Sequence, residues 1–419
     1  MPLATAPIRS DTPLSSGRLW STSILLFVSV VICYIDRSNL SVAVPLLEGE
    51  LGLSVSKVGV LLSAFFWTYA SFQPIAGWLV DRFNVSLVLA AGFVVWSAAT
   101  LATGLAGGFA TLLMIRLILG VGESVAYPSY AKIFATHYTE GQRGLANSLI
   151  DVGCKCGPAL GTLIGGFYMA HFGWRAFFFV LGLGAFPWLL CWIKWMPPEA
   201  SRADAEVGPA PSFGEILCLR SAWAAFIGLF CGNYLLYFMI TWLPYYLVHE
   251  RHFSMQRMAV VGALPFLCSA VATSAAAWLS YRAIEAGATP TLVRKTCTVL
   301  GLGFASVIVL VPLVEGVGGA IAIFIFASIS YGVFCTSPWA IAQTIAGPRA
   351  AGRWAGMQNF VGNLSGVTAP ALTGFVVERT GNFFWAFAVA AGVVLSGALT
   401  YLFVLGRVEP AKWRYHASP

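Results

Sequence analysis

Charge is what this sequence lacks: Asp, Glu, Lys and Arg make up only 10% of its 419 residues, against about 25% in soluble globular domains. A water-soluble globular chain is excluded. Polar stretches are as scarce. The one long example lies near 196–215, reading PPEASRADAEVGPAPS, and it leaves no room for a large extramembrane enzyme. No G-x-x-x-x-G-K loop is present to cradle a nucleotide phosphate, so this chain by itself is not an ATP-driven pump. A nucleophile elbow and a zinc motif are also missing. The nine cysteines sit mostly inside apolar runs, where they read as small buried hydrophobes rather than a disulfide framework. Cys154 and Cys156 have no other soft ligand nearby in sequence, too few for a metal site.

What is abundant is apolar sequence, 58% of the chain. It falls in runs at about 20–46, 57–80, 86–104, 110–132, 143–169, 174–195, 222–248, 257–281, 293–314, 317–343, 351–377 and 383–406. Each run is long enough to cross a bilayer, at about 20 residues per crossing. The pattern predicts an all-α integral membrane protein with twelve transmembrane helices. With both ends cytoplasmic, the inside loops and tails hold sixteen Lys and Arg and the outside loops five, namely Lys57, Arg175, Arg251, Arg257 and Arg379. That imbalance satisfies the positive-inside rule. It also explains the net charge of +7 without nucleic acid. The first 19 residues are polar, and the run after them is longer than a signal-peptide core, so it reads as an uncleaved first helix.

The polar stretch near 196–215 divides the runs into two sixes, and the halves echo each other. GWLVDR at 77–82 finds AWLSYR at 277–282, and EGQRGLA at 140–146 finds AAGRWAG at 350–356. Gly157-Pro158 is answered by Ala369-Pro370, and GWRAFF at 173–178 by GNFFWAF at 381–387. An offset near 200–210 residues that keeps its order fits parallel six-helix repeats with substrate held at the midplane between them. The expected organisation is a cytoplasmic tail at 1–19, bundles at 20–195 and 222–406, a cytoplasmic linker at 196–221 and a tail at 407–419.

GWLVDRFNVSL after the second run resembles the loop motif G-x-L-x-D-R-x-G-x-R/K of the major facilitator superfamily, with Asn84 and Ser86 in place of its usual Gly and base. Within that superfamily, YIDRSNLSVAVP at 34–45, SAFFWTYASFQPIAGWLVDRF at 63–83, RLILGVGESVAYPS at 116–129 and MQNFVGNLSG at 357–366 resemble the anion:cation symporter family. That family includes sugar-acid permeases for galactonate, glucarate and hexuronate, and phthalate permeases. The resemblance covers nearly the whole chain. It implies the major facilitator fold, two pseudo-symmetric six-helix bundles, and proton-coupled import of a small organic anion by alternating access in a bacterial inner membrane. A sugar acid or related carboxylate leads. An aromatic carboxylate importer is the alternative, followed by an exporter or a non-transporting sensor. The expected partners are the anion, protons and the lipid bilayer, with no nucleic acid. No cofactor is expected beyond the proton gradient, and the chain is expected to act as a monomer.

Six ionisable side chains lie within apolar runs: Asp36, Arg37, Arg116, Glu123, Asp151 and Lys155. Each costs about 2.5–3.5 kcal/mol at a bilayer centre, so they must face one another or a water-filled cavity. Asp36 and Arg37 point about 100° apart on a helix and cannot pair with each other. Arginine stays charged and its fork suits a carboxylate, which makes Arg37 the natural anchor for an anion. Asp36 can titrate. Arg116 and Glu123, seven apart on one face, read as a second pair, with a purely structural salt bridge as the open alternative. Asp151 and Lys155, at i and i+4, could pair along their helix, or Lys155 could be a second cationic anchor favouring a dicarboxylate.

Hydroxyl-holding groups cluster at Tyr34, Asn39, Tyr69 and Gln73 in the first half and at Thr336, Ser337, Trp339, Asn359 and Asn363 in the second. The resemblance implies that Asp36 and Glu123 take protons with Arg116 beside them, and that Arg37, Tyr34, Tyr69, Trp339 and Asn359 contact substrate. It also implies that Asp81 and Arg82 gate the inner mouth. Where galactonate permeases carry a substrate-binding glutamine, this chain places Cys154 with Lys155 beside it.

Overall fold

The computed structural model describes residues 16–138, 140–197, 211–411 and 413, and among these it is helical nearly throughout. Backbone polar groups in hydrocarbon must pair within their own segment, so apolar runs of this length become helices. The first six crossings are built from α1 (Ser16–Leu51), α2 (Val55–Arg82), α3 (Val85–Thr103), α4 (Phe109–Glu123), α5 (Ala126–His137), α6 (Glu140–Gly184) and α7 (Phe186–Trp195). After α8 (Phe213–Leu217) come α9 (Arg220–His249), α10 (Met255–Glu285), α11 (Pro290–Ala305), α12 (Val317–Cys335), α13 (Pro338–Thr380) and α14 (Phe383–Leu399).

Eleven stretches of the described chain are long and apolar enough to span, against twelve expected. Leu149–Trp195 accounts for the difference, because its 47 residues would run roughly 70 Å as one helix, more than twice the ~30 Å hydrocarbon core. Gly173 breaks it. Its φ of +77° is a conformation other residues avoid, and the chain there turns back across the membrane. The counterpart in the second half is Gly381, with φ +62°, followed by Asn382, whose Oδ1 accepts from the Phe384 amide at 2.6 Å. The repeated sequence around Gly173 and Gly381 is thus a repeated turn opening the last crossing of each half.

The polar linker is shorter in the fold than in the sequence. Within 196–221, α8 is capped reciprocally by Ser212 and Glu215, and α9 has already begun at Arg220. The first helix likewise starts at Ser16, ahead of the expected boundary at 20. At the start of α3, Asn84 occupies the motif's usual glycine position and its Oδ1 accepts from the Ser86 and Leu87 amides at 3.0 and 3.2 Å. Arg82 is exposed and stacks on Trp78. The Asp81 side chain lies outside the described residues.

Inside the first half, α1 and α6 pack backbone to backbone through small residues. A Cβ on Gly153 would fall 2.4 Å from Val30, one on Gly157 2.4 Å from Tyr34, and one on Gly161 2.4 Å from Ser38. Each pair is separated by 123 residues, so the two helices run parallel in constant register.

The halves meet along α1 with α9, α2 with α13, and α6 with α10. Among the described residues, their polar and close backbone contacts lie between the midplane and the base-poor end. Ser41 Oγ donates to the Ile240 carbonyl at 2.6 Å, and Glu378 Oε2 accepts from the Ser56 amide at 2.6 Å. At Gly59 a Cβ would stand 2.7 Å from the Pro370 carbonyl oxygen. Glu48 carries a two-pronged clasp, with His249 Nε2 at 3.0 Å from one oxygen and Tyr245 OH at 3.2 Å from the other. Tyr245 and His249 are stacked at 3.9 Å. This end is sealed. The clasp is partly exposed, so its loss is worth about 1 kcal/mol. Glu48→Ala is therefore expected to move the balance between sealed and open forms about fivefold towards opening at this end. Thiol labelling of single cysteines placed at each mouth measures the shift, and unchanged labelling at both mouths removes the clasp from gating.

Candidate functional site

Among the described residues, the buried charges all belong to the first half. Arg37 on α1 and Glu123 at the end of α4 are almost fully shielded, and Arg37 Nε donates to Glu123 Oε2 at 2.8 Å. Cys33 Sγ donates to that same oxygen at 2.9 Å, while Glu123 Oε1 has no partner. The guanidinium is walled by aromatic rings, with Tyr34 at 4.6 Å, Phe65 at 5.0 Å and Tyr69 at 4.5 Å from its central carbon. The rest of the fork makes a weak contact of Nη2 with Cys33 Sγ, at 3.6 Å, and a hydrogen bond with the Tyr69 side chain. Arginine has five N–H donors, and the others are unspent.

Glu123 is therefore paired across helices with Arg37 and not with Arg116, which corrects the pairing expected from spacing. Seven residues separate Arg116 and Glu123 by about 10 Å of helical rise, whereas α1 places Arg37 directly opposite the carboxylate. Arg116 lies over Phe65 at 5.3 Å, so this ring contacts both guanidinium groups. Asp36 turns away from Arg37, as the 100° step requires. It is buried among Thr100, Arg116 and Glu123. Its Oδ1 and Arg116 Nε both lack hydrogen-bond partners. Breaking a buried ion pair costs about 3–5 kcal/mol, so the Arg37–Glu123 contact yields only when another anion takes its place.

A second row of groups runs from Tyr34. Its hydroxyl is 3.3 Å from Tyr127 OH, and Tyr127 OH is 2.7 Å from Cys154 Sγ. Next to Cys154, Lys155 Nζ donates to Asp151 Oδ2 at 2.7 Å, with side-chain exposures of 9% and 53%. The lysine is buried and its acid is half in solvent. An i, i+4 pair stabilises a helix by about 0.2–0.5 kcal/mol, far below the several kcal/mol needed to bury an ammonium.

From the second half, Tyr237 on α9 packs its ring 4.4 Å from Phe66 and donates to Asn363 Oδ1 at 2.8 Å. Asn363 Nδ2 in turn donates to the Asn359 carbonyl and side-chain oxygens at 2.8 and 3.0 Å. Thr336 and Ser337 share a hydroxyl contact of 3.2 Å where α12 breaks before α13. Asn39 is fully buried on α1 with both amide atoms unpartnered.

Of the residues singled out from sequence, the fold brings together Tyr34, Arg37, Tyr69, Glu123 and Cys154, with Asp36, Arg116 and Lys155 around them. Asn359 joins through Asn363 and Tyr237. Trp339 is 40% exposed, and no described contact ties it to this group. Cys33, Tyr127 and Tyr237 escaped the sequence reading. Cys33 stands four residues before Arg37 and Tyr127 four after Glu123, so helical spacing from the charged residues was the available signal. The surface pits on α6 around Leu163, Ile164 and Phe167 are wholly apolar and stand apart from this site.

A buried, sealed-at-one-end site between two six-helix bundles, with charge on one side and neutral polar groups on the other, defines a transporter rather than an enzyme. Residues 26–370 match the Major Facilitator Superfamily, and the chain belongs to that family. It is 29% identical over 391 residues to a hexuronate transporter of Bacillus subtilis, covering 90% of this chain and 93% of that one. It is 30% identical over 397 residues to a probable sulfoacetate transporter of Cupriavidus necator, covering 89% and 90%. A D-galactonate transporter of Escherichia coli is 28% identical over 428 residues, covering 96% and 99%. Its fold is that of a bacterial homologue of the human lysosomal transporter Spinster, in an inward-facing, occupied crystal structure, with a TM-score of 0.78 at 17% identity over 93% of this chain and 97% of that one.

Proposed function

We propose that the chain imports a small organic anion, a sugar acid or related carboxylate, together with protons across a bacterial inner membrane. The observation that carries this reading is Arg37: a buried guanidinium held by one carboxylate, framed by three rings, with unspent donors. A substrate carboxylate that engages the fork competes with Glu123. The displaced Glu123, buried and without its cation, then takes a proton, because a lone carboxylate in a low-dielectric site is costly. Binding of anion and proton are coupled through one arginine. Names of the relatives in hand, covering hexuronate, galactonate and sulfoacetate, support an organic anion.

Orientation follows from the basic loops. With the base-rich end in the cytoplasm, the clasp at Glu48 closes the outer mouth, and the form described here faces inward. Asp81 and Arg82 then lie at the inner mouth, where closing would pin the halves in the outward-open form. The aromatic frame around Arg37 also suits an aromatic carboxylate, which is the second reading. Purified protein in liposomes, given an inward proton gradient and labelled galactonate, hexuronate or phthalate, tests both. Accumulation of a sugar acid collapsed by a protonophore is the expected result. Accumulation of phthalate alone would replace the first reading by the second, and uptake indifferent to the gradient would remove the coupling.

A further inference from the structure

The parallel register of α1 and α6 fixes the relative depth of the two buried cations. Pairs 30 with 153, 34 with 157 and 38 with 161 put Lys155 level with Ile32, five residues to the base-rich side of Arg37. That is about 7.5 Å along the helix axis. Between the two levels runs the row Tyr34 OH, Tyr127 OH and Cys154 Sγ. Lys155 Nζ has three donors, and its described bond is to Asp151 alone. Asp151 is half exposed, so it is not left as a buried, unpaired group when the lysine turns to another anion. The same helical pair would form equally well on a solvated face, so it gives no reason for burying Lys155. Cys335 of the second half lies within electrostatic reach of the ammonium, so Lys155 is near the other bundle.

We propose that Lys155 is the second cation of a two-cation subsite, so that the transported anion is a diacid, with one carboxylate on Arg37, the other on Lys155, and its hydroxyls along the tyrosine row. The proposal rests on Arg37 being the anion anchor. An extended six-carbon diacid, five C–C bonds of about 1.5 Å in zigzag, separates its carboxyl carbons by roughly 6 Å. The two cations sit on different helices and at different depths, so together they call for an anion with a carboxylate at each end.

Galactarate and galactonate share one carbon skeleton and differ only in the carboxylate or hydroxymethyl at C6, so their binding to the purified full-length protein isolates the second cation. Wild type is expected to bind galactarate at least tenfold more tightly than galactonate. Lys155→Gln should lose that tenfold preference while galactonate affinity stays within twofold, and Lys155→Arg should restore part of it. The double variant Asp151→Asn, Lys155→Gln removes the pair without leaving a lone charge, and gives the same loss if either single variant folds poorly. Equal loss of both acids, or wild type that favours galactonate, overturns the proposal. Wild type that binds neither, yet binds another monocarboxylate through Arg37, overturns it while leaving the anion-import reading intact. Failure to bind any organic anion overturns both.

Discussion

Glu123→Gln is expected to abolish proton-driven accumulation and to leave substrate counterflow working. Glutamine keeps the shape of the side chain and a hydrogen-bonding oxygen for Cys33 and Arg37, but it has no proton to gain or lose. The internal rival for the guanidinium is gone, so substrate affinity should hold or rise even as coupling fails. Exchange of one bound anion for another needs no net proton movement and should persist. A purely structural Arg37–Glu123 pair predicts something different. Removing one partner of a buried pair costs about 3–5 kcal/mol, so both activities and folding would fail together. Accumulation and counterflow measured in parallel on monodisperse protein separate the two. Well-folded variant protein that still concentrates substrate against a gradient takes Glu123 out of the mechanism.

Membrane potential adds an independent reading of the same site. An entering anion is opposed by about 2.3 kcal/mol per charge per 100 mV. On the proposed coupling, Asp36 and Glu123, both buried, each take a proton, and two protons accompany each substrate. A monoanion carried with two protons moves with a negative-inside potential, and a diacid with two protons moves without net charge. Imposed potassium-diffusion potentials should therefore accelerate galactonate uptake and leave galactarate uptake unchanged.

The spans and the halves were legible in the sequence because lipid imposes one rule on every segment: about 20 apolar residues, closed into a helix. The turn at Gly173 was legible too, as the gap between the apolar runs at 143–169 and 174–195. Charged residues in apolar runs marked the site for the same reason, since each is costly unless it serves a purpose. Partnership was harder to read. Spacing along one helix suggested Arg116 with Glu123, but pairing was decided by how α1 lies against α4, a tertiary fact. Tyr127 had only its spacing from Glu123 to mark it, and Tyr237 had nothing local, because a tyrosine in a span is commonly an interfacial anchor. His249 ends α9, and only the lie of α1 against α9 brings Glu48 to it.

Arg37→Lys is expected to weaken substrate binding by about thirtyfold or more, although the charge is conserved. Arginine here performs three tasks at once. Nε holds Glu123 at 2.8 Å, the flat guanidinium lies against Tyr34, Phe65 and Tyr69 at 4.5–5.0 Å, and the N–H donors not turned to Cys33 or Tyr69 remain for a carboxylate. Lysine has a compact ammonium on a flexible stem and can direct its donors at Glu123 or at substrate, but it cannot present a planar fork to one while bonding the other. Loss of one charge-assisted hydrogen bond costs about 1.5–3 kcal/mol. Poorer stacking on the rings adds about 0.5–1 kcal/mol. At 1.4 kcal/mol per decade, the total is about thirtyfold to several hundredfold in Kd. Arg116→Lys is the matched control. Arg116 lies over Phe65 at 5.3 Å and makes no described bond to Glu123, which Arg37 holds, so affinity there should change less than threefold. Calorimetric titration of both variants with galactonate measures the difference. Tight binding by Arg37→Lys, within threefold of wild type, would show that the carboxylate is held elsewhere and would move the anchor away from this helix.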